Sequence, residues 1–470
     1  MTDPDPEDAR IGRSTLGVWD AVSLLVGIVV GTAIFKAPAM VFSGTHSPLE
    51  TLVLWLGGGL IALAGAFCYA ELAAAYPRSG GDYEYLSRAY GRWLGLQFVL
   101  AQLLIVLTGS VGSMAYAFAD YCRELLGLES ASVVWLALAS ILGLTVTNLL
   151  GLRAGRWTQN GLTLLKLAGL GTIVVIGLTQ GNWEHLTESS ADQPRNIGLA
   201  MVMIFYAYSG WTHAAYVAAE VDQPQRSLPR ALLVGVLAVT AIYLLVNLAF
   251  VLVLGFDSVR TSNTPAADLL SSTLGESGAR LVSLLVMLSA LGAINGTILT
   301  GAFLLAELGQ DYRQLAWLKP NSTIATTPLR PLLLLSLISC GLVLAVGTES
   351  GRQMIDRGLG SLGLPVVPWA QYFGGFDTLV AASAPLFWGF LLLTGTTVFI
   401  LRYRDPEQPR PFRTPGYPFT PLLFCAASLY MLDASLRYAG SLAWIGIVPI
   451  TVAALISWQH GAGRSRQQLD

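Results

Sequence analysis

Charge is what this chain has least of. Only 12% of its 470 residues are Asp, Glu, Lys or Arg, where a soluble domain carries about 25%; too few remain to cover a globular surface of this size. The formal net charge of −2 removes the electrostatic basis for nucleic-acid binding or a polybasic membrane patch. Cysteine is sparse as well. Cys68, Cys122, Cys340 and Cys425 form no C-x-x-C pair, which argues against a disulfide framework and against a zinc site. The four histidines stand apart from any cluster of carboxylates, so neither a metal nor a cofactor is expected. The opening MTDPDPEDAR is acidic and Pro-rich and lacks the basic-then-apolar pattern of a cleaved signal peptide. It reads as a disordered tail over 1–13.

What fills the chain instead is apolar: 54% hydrophobic residues and a mean hydropathy of +0.59. The 49 Gly and 22 Pro suit membrane helices better than soluble ones. A bilayer core about 30 Å thick needs about 20 apolar residues per helix. Twelve runs qualify, near 16–42, 49–75, 93–121, 131–150, 158–179, 197–219, 230–255, 280–308, 331–347, 377–401, 418–436 and 441–458. They are continuous rather than alternating, so an outer-membrane barrel is excluded. With the N-terminus inside, eighteen Lys and Arg fall in cytoplasmic loops and seven outside, which places both termini in the cytoplasm. The longest external connection, about 348–376, carries Trp369, Tyr372 and Phe373 and reads as an interfacial segment or external cap.

Two spans have unusual centres. The first reads GIVVGTAIFKAP and the sixth IFYAYSGWTHAAYVAAE, with Gly and small residues at mid-membrane, where helix propensity is poor. Breaks are expected at Gly31–Ala33 and Tyr208–Gly210. Small residues also pack helices closely. Unwinding, however, exposes backbone groups that are tolerated in a membrane only against a ligand or cavity. Each broken helix offers an N-terminal end for an anion and a C-terminal end for a cation. Breaks in the first and sixth spans are corresponding positions of two five-span halves, the pattern of an inverted-repeat transporter.

The stretches GIVVGTAIF, YAELAAAYPRSGGDYEYLSRAYG (69–91), YAYSGWTHAAYVAAEVDQPQRSLPRAL (206–232) and ALGAINGTILTG (290–301) resemble the amino acid–polyamine–organocation superfamily. Within it the chain resembles the L-type amino-acid transporters and related bacterial permeases, and the resemblance extends over about 14–435. It implies an all-α integral membrane protein of twelve helices with a LeuT-like core of two inverted five-helix repeats. The halves would be 14–180 and 194–403, followed by two extra helices over 404–460 and a cytoplasmic tail over 461–470. It also implies amino-acid transport by alternating access in the cell membrane. The family's break in the first helix falls on Gly31, Thr32 and Ala33, whose N–H groups should receive the substrate carboxylate. Ala33 stands where the family usually has Gly. The ammonium should meet carbonyls around Val29 and, in the sixth helix, around Phe205, Tyr206, Tyr208 and Ser209. The aromatic gate falls on Tyr206, with Phe205 as alternative; an aromatic packing pair is the plainer reading of both.

Lys166 lies in the fifth span, about 13 Å from its edge at 1.5 Å per residue, too deep to snorkel easily, and is a functional candidate on that ground. The resemblance implies that its ammonium takes the place of a bound sodium ion at the end of the first half-helix. Sodium independence is therefore expected, and proton coupling or facilitated exchange beside it. Lys36 departs from the family's apolar residue and reads as snorkelling to the outer interface. His213 and Asn295 read as polar packing groups; a proton relay and a substrate contact are the alternatives. Glu71 and Glu220 sit at cytoplasmic helix ends, facing basic loops. Phe303 replaces an Arg common in relatives, a departure that bears on the inner gate.

A membrane enzyme would need convergent acid, base or metal groups, and a channel would need polar rings along a pore; neither is visible. A sensor on the same fold and a polyamine or cationic amino-acid carrier are the remaining alternatives. No Asp or Glu appears at mid-depth in the spans that would line the site, so a neutral or broad-range amino acid is favoured. Light subunits of the family pair with a glycoprotein through a cysteine near the third loop. Cys122 does not match that position closely, so no such heavy subunit is expected.

Overall fold

The structure, a computed structural model, describes residues 16–129, 132–189, 195–262, 264–319, 328–361, 363–369, 375–446 and 451. Both tails, most of the run 441–458, Tyr372, Phe373 and the Lys36 side chain lie outside the described residues. Among those residues the chain is helical, and the one bridge, between Leu16 and Val221, is isolated.

The helices, in chain order, are α1 Val18–Val29, α2 Ala33–Ser43, α3 Pro48–Ala75 and α4 Asp82–Tyr90. There follow α5 Arg92–Leu126, α6 Ser132–Leu149, α7 Leu152–Gln180, α8 Ile197–Ala207 and α9 Pro224–Leu254. The last seven are α10 Phe256–Thr261, α11 Pro265–Leu274, α12 Glu276–Asp311, α13 Leu329–Gly347, α14 Glu349–Ser361, α15 Gly375–Arg404 and α16 Phe419–Ala439. Among the described residues nine helices are long and apolar enough to cross a membrane. The first and sixth runs are each divided. The first is α1 followed by α2; the sixth is α8 followed by a 3-10 segment, Trp211–Glu220. The protein is a multi-pass membrane protein.

Local sequence sets the helix ends. Ser47 accepts a hydrogen bond from the Glu50 N–H, and Pro48 follows as the first residue of α3, an arrangement that satisfies or removes otherwise orphaned donors. Asn196 caps α8 in the same way through the Leu199 N–H. Gly127 closes α5 in a left-handed conformation, φ 64°, which costs glycine little.

The most extensive contacts join α3 with α9, α5 with α12 and α15 with α16. The divided helix lies inside, with α1 against α7, α9 and α12 and α2 against α8. The outside is apolar: Leu60, Trp135, Leu164 and Leu337 are exposed, as a lipid-facing surface requires. At the arginine-rich end, Glu71 of α3 takes a two-point contact from Arg402 of α15 at 2.8 and 2.6 Å and accepts the Thr414 N–H at 2.7 Å. The basic loops thus do meet Glu71. At the other end, α14 returns onto the bundle; Asp356 accepts from the Trp369 ring N–H at 2.8 Å and Leu359 and Val367 are buried. All four cysteines are free, Cys122 buried among them.

Candidate functional site: a cavity between two broken helices

The breaks fall where the small residues predicted them. α1 ends at Val29, the Gly31 N–H bonds back to the Val29 carbonyl at 2.7 Å, and α2 begins at Ala33. In the sixth run α8 ends at Ala207, and Gly210 turns the chain with φ 98°, a region that side chains other than glycine's rarely enter. A Cβ on Gly210 would also sit 3.0 Å from the Ile28 Cγ2. The two breaks therefore touch. The phenol of Tyr243, on α9, lies between them, 2.9 Å from the Val29 carbonyl oxygen and 2.8 Å from that of Ala207. It caps the carbonyl-bearing ends of both half-helices.

The breaks open on a cavity of about 110 Å³. Val29, Gly31, Thr32, Ala33, Tyr206 and Ser209 line it, so six of the residues expected at the site are brought together. The start of α2 faces this space, and a helix N-terminus there favours an anion. Phe205 and Tyr208 lie elsewhere. They border a separate space of about 30 Å³ with Trp211 and Phe424, and the Tyr208 hydroxyl donates to the Trp55 carbonyl at 3.1 Å. Tyr206 and Ser209 line the cavity, and Ser209 borders the second space as well.

Sequence reasoning missed the opposite wall. α5 contributes Ser110, Ser113 and Met114, α12 contributes Thr297, and α15 contributes Ser383, Phe387 and Trp388. A signal existed in α5. Its small polar residues are spaced at i and i+3, and they follow a π-helical turn, Gln102–Val106; such turns often mark functional sites. His213 also lines the cavity. Among the described residues, no Asp, Glu, Lys or Arg does.

Lys166 stands behind the first break. Fully buried, its ammonium donates to the carbonyls of Gly27 at 2.8 Å and Ser289 at 3.3 Å, so it joins α7 to the last turn of α1 and to α12. Glycine at 27 lets α7 come close to α1, since a Cβ there would press on the side chains of Gln159 and Thr163. Next to it, Asn295 donates to Gln159 Oε1 at 2.9 Å and accepts from Asn148 Nδ2 at 2.8 Å. Asn295 therefore does make the helix–helix hydrogen bonds read from the sequence. Phe303 is buried in α12. Among the described residues no group of three or more His, Cys, Asp and Glu could hold a metal.

Residues 16–457 match the sequence model of a family described as amino acid permease. The chain is 28% identical over 432 residues to the serine/threonine exchanger SteT of Bacillus subtilis, covering 90% of this chain and 91% of that one. It is 28% identical over 433 residues to the human b(0,+)-type amino acid transporter 1, with coverage of 90% and 82%. With the mouse large neutral amino acids transporter small subunit 2 it shares 27% identity over 484 residues, with coverage of 98% and 85%. Among solved structures it is similar to a nucleobase-cation-symport-1 family transporter in a closed conformation, with TM-score 0.57 and 14% identity, covering 94% and 96% of the two chains. That likeness concerns the fold.

Proposed function

The chain belongs to the amino acid permease family, and on that premise we propose that it carries neutral or broad-range L-amino acids across the cell membrane by sodium-independent alternating access. The observation that carries the reading is the cavity between the two breaks, with the α2 N-terminus on its wall and no charged side chain facing it among the described residues. The substrate carboxylate takes the N–H groups of Gly31, Thr32 and Ala33, the first of them on giving up its bond to the Val29 carbonyl. Its ammonium takes carbonyls at the ends of α1 and α8, and Tyr206 closes over it. The uncharged lining speaks against a polyamine or cationic amino acid, whose extra positive charge would find no carboxylate.

The architecture we propose is twelve spans, two inverted halves over 14–180 and 194–403, and both termini in the cytoplasm. Lys166 supports sodium independence, because its ammonium already supplies a fixed positive charge to the Gly27 and Ser289 carbonyls. Coupling to protons is the form of energisation we favour, and the likeness to the serine/threonine exchanger of Bacillus subtilis favours exchange as the second. The buried Cys122 thiol supports action without a disulfide-linked heavy subunit.

The test is uptake of labelled amino acids into proteoliposomes holding the purified chain. Uptake of neutral amino acids, unchanged when choline replaces sodium, is expected. A pH gradient should drive accumulation if protons are coupled, and internal amino acid should be required if the mode is exchange. Uptake that depends on sodium would overturn the role given to Lys166.

A further inference from the structure

His213 lines the cavity, and part of its hydrogen-bonding capacity is unused among the described residues. Its ring is 5% exposed, stacks on Tyr216 with centroids 5.2 Å apart and planes at 24°, and its Nδ1 has no hydrogen-bond partner. Stacking fixes the plane of the ring beside the cavity it lines. Nδ1 itself is buried; a half-turn about Cβ–Cγ, which keeps the ring in its stacked plane, exchanges it with the carbon across the ring. A buried imidazole nitrogen without a partner is costly, so an incoming polar group gains by meeting it.

The hydroxyls nearby divide into two sets. Those of Ser113, Ser209 and Ser383 donate to carbonyls of their own segments. Those of Ser110 and Thr297 line the cavity and make no hydrogen bond among the described residues. Among the described residues of the lining none is charged, and their free capacity is neutral: an imidazole and two hydroxyls, each able to donate and to accept. At about 110 Å³ the space is also well below the roughly 300 Å³ at which drug-sized pockets begin.

We propose that His213, with Ser110 and Thr297, selects the substrate's side chain, so that the site takes small amino acids whose side chains are uncharged and hydrogen-bonding, a hydroxyl or a carboxamide. This deepens the permease reading and rests on it. An isosteric aliphatic side chain leaves the imidazole unpaired, and sites built to bind a polar group discriminate against its absence far better than apolar pockets discriminate by size.

The experiment is competition for uptake in proteoliposomes by two near-isosteric pairs, threonine against valine and asparagine against leucine. Wild type should favour the polar member of each pair by about tenfold or more. His213→Phe should bring both ratios close to one, and His213→Asn should keep part of the preference. If His213→Phe fails to fold, His213→Leu replaces it. Robust uptake with equal use of threonine and valine in wild type overturns this proposal alone, as does an undiminished preference in the apolar variant. Uptake of no amino acid at all, alanine included, overturns the substrate site and this inference with it.

Discussion

The ammonium of Lys166 lies 2.8 Å from the carbonyl oxygen of Gly27, two residues before α1 ends at the break. A cation built into the chain thus sits at the carbonyl end of the first half-helix, where a helix terminus favours positive charge. Two effects oppose each other when it is replaced. Each hydrogen bond to a charged group is worth about 1.5–3 kcal/mol, while burying the ammonium costs several kcal/mol. Lys166→Met should therefore melt within a few degrees of wild type yet lose tenfold or more of its uptake. Unaltered uptake in this variant would remove Lys166 from the mechanism.

Gly210 holds the second break in a conformation, φ 98° and ψ −8°, that costs another residue roughly 1–2 kcal/mol. Its missing Cβ also leaves room for Ile28, which lines the cavity. Gly210→Ala should destabilise by about that amount and raise the KM for uptake, because Ile28 must shift. Thermal unfolding in detergent and uptake kinetics on the same preparation separate the two effects.

Tyr243→Phe keeps the ring against Trp55 and Tyr208, whose centroids are 5.4 and 5.0 Å away, and removes only the hydroxyl between the Val29 and Ala207 carbonyls. The stability loss should be about 1 kcal/mol. Uptake should suffer more than stability does, since this oxygen fixes the two half-helix ends relative to each other. A variant with wild-type kinetics would show that the breaks hold their geometry without it.

Asp82 of α4, outside the membrane spans, is 3% exposed. Burial pushes its carboxyl up from 3.8 to about 6, against the hydrogen bonds from Thr394 and Tyr69 that favour the ionised form. The folded state therefore holds this proton more tightly than the unfolded chain. Its contribution is fully present below pH 4 and is lost as pH rises through 6, an effect of about 3 kcal/mol at about 1.4 kcal/mol per pH unit. Melting of wild type should fall between pH 5 and 7.5 by more than that of Asp82→Asn. Parallel pH profiles would show that Asp82 does not titrate in that window.

Both breaks and the buried lysine were legible because each violates the rule of its surroundings: Gly and small residues where a helix should run, a charge where lipid should be. The rest of the cavity was not. Ser383 and Trp388 come from a helix nearly two hundred residues beyond Tyr206, and no local pattern announces that they face it. Phe205 and Tyr208 show the complementary limit. α8 is apolar on every side, so its composition cannot tell which face meets the cavity; only packing against α3 and α16 turns those two rings away. His213 read as a packing residue because histidine on an apolar helix usually has a partner, and here its Nδ1 has none.

The clamp on Glu71 also has a timetable. Its partner Arg402 is made 331 residues later, which at roughly 5–20 residues per second is a delay of roughly 15–65 s. Tyr76 waits almost as long for Asp405, while Asp82, already within reach of Tyr69, waits for Thr394 as a second partner. The arginine-rich end of α3 therefore stays open until α15 and the loop after it have been made. Truncation anywhere before α15 should leave a chain that has entered the membrane but cannot seal that end, a product for quality control to remove.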